Sequence, residues 1–135
     1  MRRPGVALLF ILAALLLGGC RQSSGETGSV IDGAADVTLQ LTVEPAPPSV
    51  GFARLDVVLL DSAGAPLDGA TPVIVRGDMA HAGMRPVLAT AIAQGDGRYR
   101  ADFEWTMAGD WIVTVEATLP DGRVKAAVFD YTVGN

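Results

Sequence analysis

The sequence predicts an all-β protein, an antiparallel β-sandwich of about seven strands, and three observations lead to that expectation. Apolar residues recur at every second position in several stretches. Clusters of Gly, Pro and Asp separate those stretches at short intervals. No internal repeat or long helical period follows residue 36.

The strands can be taken in order. In "VTLQLTVE" (37–44), Val37, Leu39, Leu41 and Val43 face one way, and Thr38, Gln40, Thr42 and Glu44 the other. "ARLDVVLL" (53–60) and "TPVIVR" (71–76) are less regular apolar runs, as are "PVLATAIA" (86–93) and "VKAAVFDYTV" (124–133). Between them, "RYRADFEW" (98–105) sets Tyr99, Ala101, Phe103 and Trp105 against Arg98, Arg100, Asp102 and Glu104. "WIVTVEATL" (111–119) sets Trp111, Val113, Val115 and Ala117 against Thr114, Glu116 and Thr118. Such alternation marks strands with one wet face. "EPAPPSVG", "DSAGAPLDG", "QGDG", "MAGD" and "LPDG" supply the turn chemistry between strands. Seven strands over about a hundred residues give an immunoglobulin-like architecture. The Cys–Trp–Cys pattern of antibody domains is absent, so the likeness is architectural.

The N-terminus sets the compartment. Arg2 and Arg3 precede a twelve-residue apolar run (6–17), which Leu17-Gly18-Gly19-Cys20 closes. Charge, then apolar residues, then small residues is the order of a secretory signal. Twelve residues fall short of the roughly twenty that a spanning helix needs, so a cleaved signal is expected, with a retained anchor as the alternative. The Leu-Gly-Gly-Cys ending resembles the lipobox of bacterial lipoproteins, which implies a lipidated Cys20 as first mature residue. The expected organisation is a lipoprotein signal peptide (1–19), a lipidated flexible tether rich in Ser and Gly (20–36), and the sandwich domain (37–135). Cys20 is the only cysteine, so disulfides and thiolate metal sites within the domain are excluded.

Charge excludes another class. Without the signal, eight basic residues stand against fifteen acidic ones, a net of −7. No basic stripe appears, so nucleic acid is not an expected partner. Membrane attachment would rest on acyl chains at Cys20. Catalysis finds no support either. The chain has one histidine, no cysteine in the domain and no Gly-x-Ser-x-Gly elbow. The acids, including the pair Asp102 and Glu104, fall on wet strand faces.

The unusual stretch is "GDMAHAGMRP" (77–86). It contains the only histidine, His81, flanked by Met79 and Met84, two of the three methionines beyond the initiator. The third, Met107, lies in the 106–110 turn. Two strands separate the loop 79–85 from that turn, so a chain that reverses at each connection brings both to one end of the sandwich. Methionine usually fills core gaps, and a lone histidine is usually a surface residue. Two methionines in a Gly-containing loop have little core to fill. Thioether sulfur with imidazole nitrogen suits Cu(I), whereas zinc favours thiolates or several histidines and calcium an oxygen cage. Residues two apart on an extended chain share a side, so Met79 and His81 can converge, and Gly83 lets the loop fold Met84 back. Asp78 and Asp110 could add an oxygen.

"GDMAHAGMRPV" followed by "GRYRADFEWTMAGDWIVTVEATLPDG" resembles the YtkA-like/FixH-like domain family over residues 37–133. The most specific elements are Met-x-His-x-x-Met with Pro86 after it, Gly97-x-Tyr99, and Met107-Ala108-Gly109-Asp110-Trp111. The resemblance implies an immunoglobulin-like sandwich outside the cytoplasmic membrane and a link to copper handling and the assembly of copper-dependent respiratory oxidases. It also places Met79, His81 and Met84 in the family's metal-site loop, with Met107 as a further ligand. FixH itself is usually held by a transmembrane helix, whereas this apolar segment ends at a lipobox-like cysteine. The expectation is thus a non-enzymatic, lipid-anchored, periplasmic or extracytoplasmic Cu(I)-handling protein. Its partner would be an envelope protein, a component of oxidase assembly or copper export. A metal-free protein–protein interaction module of the envelope is the competing expectation.

Overall fold

The computed structural model describes residues 33–135 and, as backbone, the segments 26–27 and 29–30. The signal peptide and Cys20 lie outside the described residues. Nine strands follow one another without a helix among the described residues. They are β1 (Glu26–Thr27), β2 (Ser29–Val30), β3 (Thr38–Glu44), β4 (Gly51–Leu60), β5 (Val73–Met79), β6 (Val87–Gly95), β7 (Arg98–Trp105), β8 (Gly109–Thr118) and β9 (Val124–Val133). The seven longer strands fall where the alternation and the less regular apolar runs predict them, with β5 running on to Met79.

Every neighbouring pair is antiparallel, in the order β1-β3-β4-β7-β6-β5-β8-β9-β2. Two layers form because β6 belongs to both. Its first half pairs with β5 from Val87 opposite Gly77 to Ala91 opposite Val73. Ile92, Ala93 and Gly95 pair instead with β7, across a register shift between Ala93 and Gly95. A bulge of this kind bends a strand, and here it lets one strand turn the corner between layers.

The core follows from the alternation. Leu39, Leu41, Leu55, Val57 and Leu59 of one layer meet Val73, Val75, Val113, Val115, Ala117 and Phe129 of the other, all buried. Each fully buried aliphatic side chain of this size contributes about 1.5–3 kcal/mol. Strand β7 is the cleanest case, with Tyr99, Ala101, Phe103 and Trp105 inward and every residue between them exposed. At the end opposite the methionine-bearing loops, the Tyr99 hydroxyl accepts from the Ala70 amide at 3.0 Å and donates to the Leu67 carbonyl at 3.2 Å. A core strand thereby holds down the long 61–72 connection.

Part of the segment read as a tether pairs with the sandwich. The expected flexible tether runs to residue 36, yet Glu26 and Thr27 pair with Leu41 and Gln40 of β3, and Ser29 and Val30 pair with Val128 and Ala127 of β9. A single short segment thus covers the outer edges of both layers. Ala34 is fully buried, and its carbonyl accepts a 3.2 Å hydrogen bond from Nζ of the buried Lys125. The pairing is made by backbone groups, which carry no side-chain signature.

Candidate metal centre

One end of the sandwich gathers the end of β5, the start of β6, the end of β7 and the start of β8. Met79 stands opposite Trp111 in the β5–β8 ladder, so the 80–86 loop and the 106–108 turn lie at the same end. The amide of Ala80 donates to the Asp110 carbonyl at 3.0 Å, which fastens the root of one loop to the other. His81 is the first residue beyond that bond.

Met79 differs from expectation in one respect. It does not lie in the loop but closes β5, where it is half-buried and packs against the core. Its Cε lies 3.1 Å from the position a Cβ would occupy on Gly109, whose φ of +129° is itself a glycine conformation. A side chain at 109 would push the methionine away. Met84 and Met107 are 41% and 46% exposed, and His81 is exposed. Three of the four candidate donors therefore face solvent, and the fourth lies at the root between them. Gly83, with φ +87°, supplies the left-handed turn that the 80–86 loop needs.

The floor beneath these loops is aromatic and rigid. Phe103 and Trp105 pack edge-on with ring centroids 4.9 Å apart, as do Trp105 and Trp111 at 5.3 Å, and Tyr131 lies tilted against Trp105 at 5.8 Å. Such pairs contribute about 0.5–1.5 kcal/mol each beyond their buried area. The Trp111 indole Nε1 donates to the Met107 carbonyl at 3.0 Å and so pins the turn that carries Met107. Gly77 is required by the same cluster, because a Cβ there would fall 2.5 Å from Phe103 Cζ. The alternation places Phe103, Trp105 and Trp111 inward, and Trp111 closes the Met107–Trp111 motif, but the indole bond to the Met107 carbonyl and the need for Gly77 carry no sequence signal.

Two carboxylates beside these loops already have partners. Asp78 accepts two hydrogen bonds from the Arg76 guanidinium, at 2.7 and 2.9 Å. Those bonds hold its carboxyl below the usual carboxylate range. Asp110 Oδ1 accepts from the Thr132 hydroxyl at 2.8 Å. Among the described residues, no three His, Cys, Asp or Glu side chains come together as a metal-holding group. The two loops and the end of β5 themselves carry three thioethers and one imidazole. That set fits a soft monovalent ion and fits zinc or calcium poorly.

Fold and site together define a small extended-strand sandwich with sulfur and imidazole side chains concentrated at one end. The chain belongs to the YtkA-like family, whose model matches residues 31–116. No curated protein sequence matches it. Among solved structures it is similar to the soluble domain of PmoD from Methylocystis sp. (Rockwell). That likeness has a TM-score of 0.51 at 17% identity and covers 78% of this chain and 96% of that one. At that identity the likeness concerns the fold.

Proposed function

We propose that the protein is a lipid-anchored, extracytoplasmic copper(I)-binding protein that holds or passes on the ion and performs no chemistry with it. His81, Met84 and Met107 would be the solvent-side ligands, with Met79 as the ligand at the root of the loop. The observation that supports this most directly is the gathering of all three mature methionines and the only histidine at one end, with three of them exposed. Core-filling methionines would be buried instead. Exposure on loops suits a cargo ion, because neutral ligands that can move apart can also release it. Family membership supports the same reading, and the envelope location rests on the signal-like N-terminus and Cys20. The partner would be an envelope component of copper export or oxidase assembly.

The reading is tested by titrating the mature domain with Cu(I) against a competing chelator, then repeating with the His81→Ala/Met84→Ala double variant. The expected result is loss of most Cu(I) retention in the variant. Equal uptake by both proteins would reject the assignment.

A specific observation favours a second reading, a metal-free interaction module. Phe52, 83% exposed, lies near the same end, one residue past Gly51, which pairs with Trp105. Membrane pull-down with and without a copper chelator separates the two, since capture indifferent to copper and to His81 favours the module.

A further inference from the structure

The direction of β1 and β2 limits which end of the sandwich Cys20 can reach. Strands β3 and β9 both run toward the methionine-bearing end, β9 finishing with Val133 opposite Gly109. Strands β1 and β2 are antiparallel to them. Traced backwards from Val30 to Glu26, the chain therefore climbs toward the methionine-bearing end. Ser29 stands opposite Val128, five residues short of Val133, a climb of about 17 Å at about 3.4 Å per residue. Cys20 precedes Ser29 by nine residues, which span at most about 30 Å. Cys20 can thus clear this end. To clear the opposite end the chain would have to reverse before Glu26. A reversal takes about four residues, which leaves about one of the five between Cys20 and Glu26.

The surface is asymmetric in the same sense. Among the described residues, Val50, Phe52, Met84 and Met107 are exposed apolar side chains at or near the methionine-bearing end. Toward the other end the exposed large hydrophobic residues are Ile92, three residues before the end of β6, and Val124 at the start of β9. The turns at that end carry Asp36, Asp61, Asp68, Asp96 and Asp121; Arg123 pairs with Asp36 and Asp121, and the net negative charge that remains is one that anionic headgroups would repel.

We propose that the clasp at residues 26–30 orients the domain so that the methionine-bearing end rests against the membrane that holds its lipid anchor. Val50, Phe52, Met84 and Met107 are the side chains that meet the lipid surface. The proposal depends on the lipidation of Cys20 included in the reading above, but not on metal binding. An ion held at this end is then released at the membrane surface and not into the surrounding fluid.

The test uses the full lipidated chain in protein-free vesicles of phosphatidylethanolamine and phosphatidylglycerol containing a headgroup nitroxide lipid. Single labels are placed at Arg85→Cys, beside Met84, and at Ala63→Cys, in the turn at the opposite end; acylated Cys20 does not react. The expected result is several-fold stronger nitroxide quenching at position 85 than at 63. Equal quenching, or stronger quenching at 63, overturns the orientation. A chain that fails to float with the vesicles overturns the anchor itself. Cu(I) titration of the same preparation reads the metal site independently of both.

Discussion

The indole of Trp111 and the backbone of Met107 are joined by a 3.0 Å hydrogen bond. Trp111 is fully buried, while the Met107 side chain beyond that bond is half-exposed. The core thereby fixes where a solvent-side donor sits. Trp111→Phe removes the bond, worth about 1 kcal/mol, and leaves a void beside Trp105. A total loss near 2–3 kcal/mol is expected in urea unfolding. Cu(I) affinity is expected to fall in the folded variant as well, because the turn bearing Met107 loosens.

Gly77 and Phe103 give a second measurable contact. A Cβ at 77 would meet the Phe103 ring at 2.5 Å, so Gly77→Ala must displace either the ring or the end of β5. Overpacking of this kind costs about 1–3 kcal/mol. Thermal unfolding should show that cost, and the paired variant Gly77→Ala/Phe103→Leu should recover part of it.

The clasp predicts a change in association. Deleting residues 21–31 uncovers the outer edges of β3 and β9, and bare edges invite pairing with another chain. The truncated domain is expected to stay folded through its seven long strands. It should melt at a lower temperature and show concentration-dependent dimers by sedimentation. A monomer at all concentrations would indicate that the segment does not protect the edges.

Arg123 ties the start of the domain to the turn after β8. Its guanidinium bonds Asp121 at 2.7 Å and forks onto Asp36, with one arm at 3.1 Å. The Arg123 side chain holds Asp36 below the usual carboxylate range. Asp121 is lowered first by the Arg123 amide and then by its side chain. A carboxyl whose folded pKa is depressed stabilises the fold above its ordinary pKa, about 3.9. That contribution is lost as pH falls through the folded value. The Val37 amide, bonded to the Ala34 carbonyl at 3.0 Å, should therefore lose exchange protection below about pH 4. Asp36→Asn should weaken that pH dependence.

Much of the fold was legible because burial here obeys a two-residue period. Tyr99, Ala101, Phe103 and Trp105 gave β7 its inward face, and Trp111 to Ala117 gave β8 its own. The placement of Met79 was obscured by a glycine. Val73, Val75, Gly77 and Met79 do alternate inward, but Gly77 reads as a turn residue unless the Phe103 ring that fills its place is known. The clasp was illegible for a different reason. "ETGSV" contributes hydrogen-bonding backbone, and no side-chain pattern distinguishes it from a flexible linker. The site loop was legible as a chemical rarity. Its rigid aromatic support, and the engagement of Asp78 and Asp110 by Arg76 and Thr132, required coordinates.

The central claim is that thioether sulfur from this end of the sandwich holds a single soft ion. X-ray absorption at the copper edge of the Cu(I)-loaded protein tests it most directly. The expected spectrum contains sulfur scatterers together with one imidazole, and Met84→Leu/Met107→Leu reduces the sulfur shell. A first shell of nitrogen and oxygen alone, unchanged by that double substitution, would contradict the account.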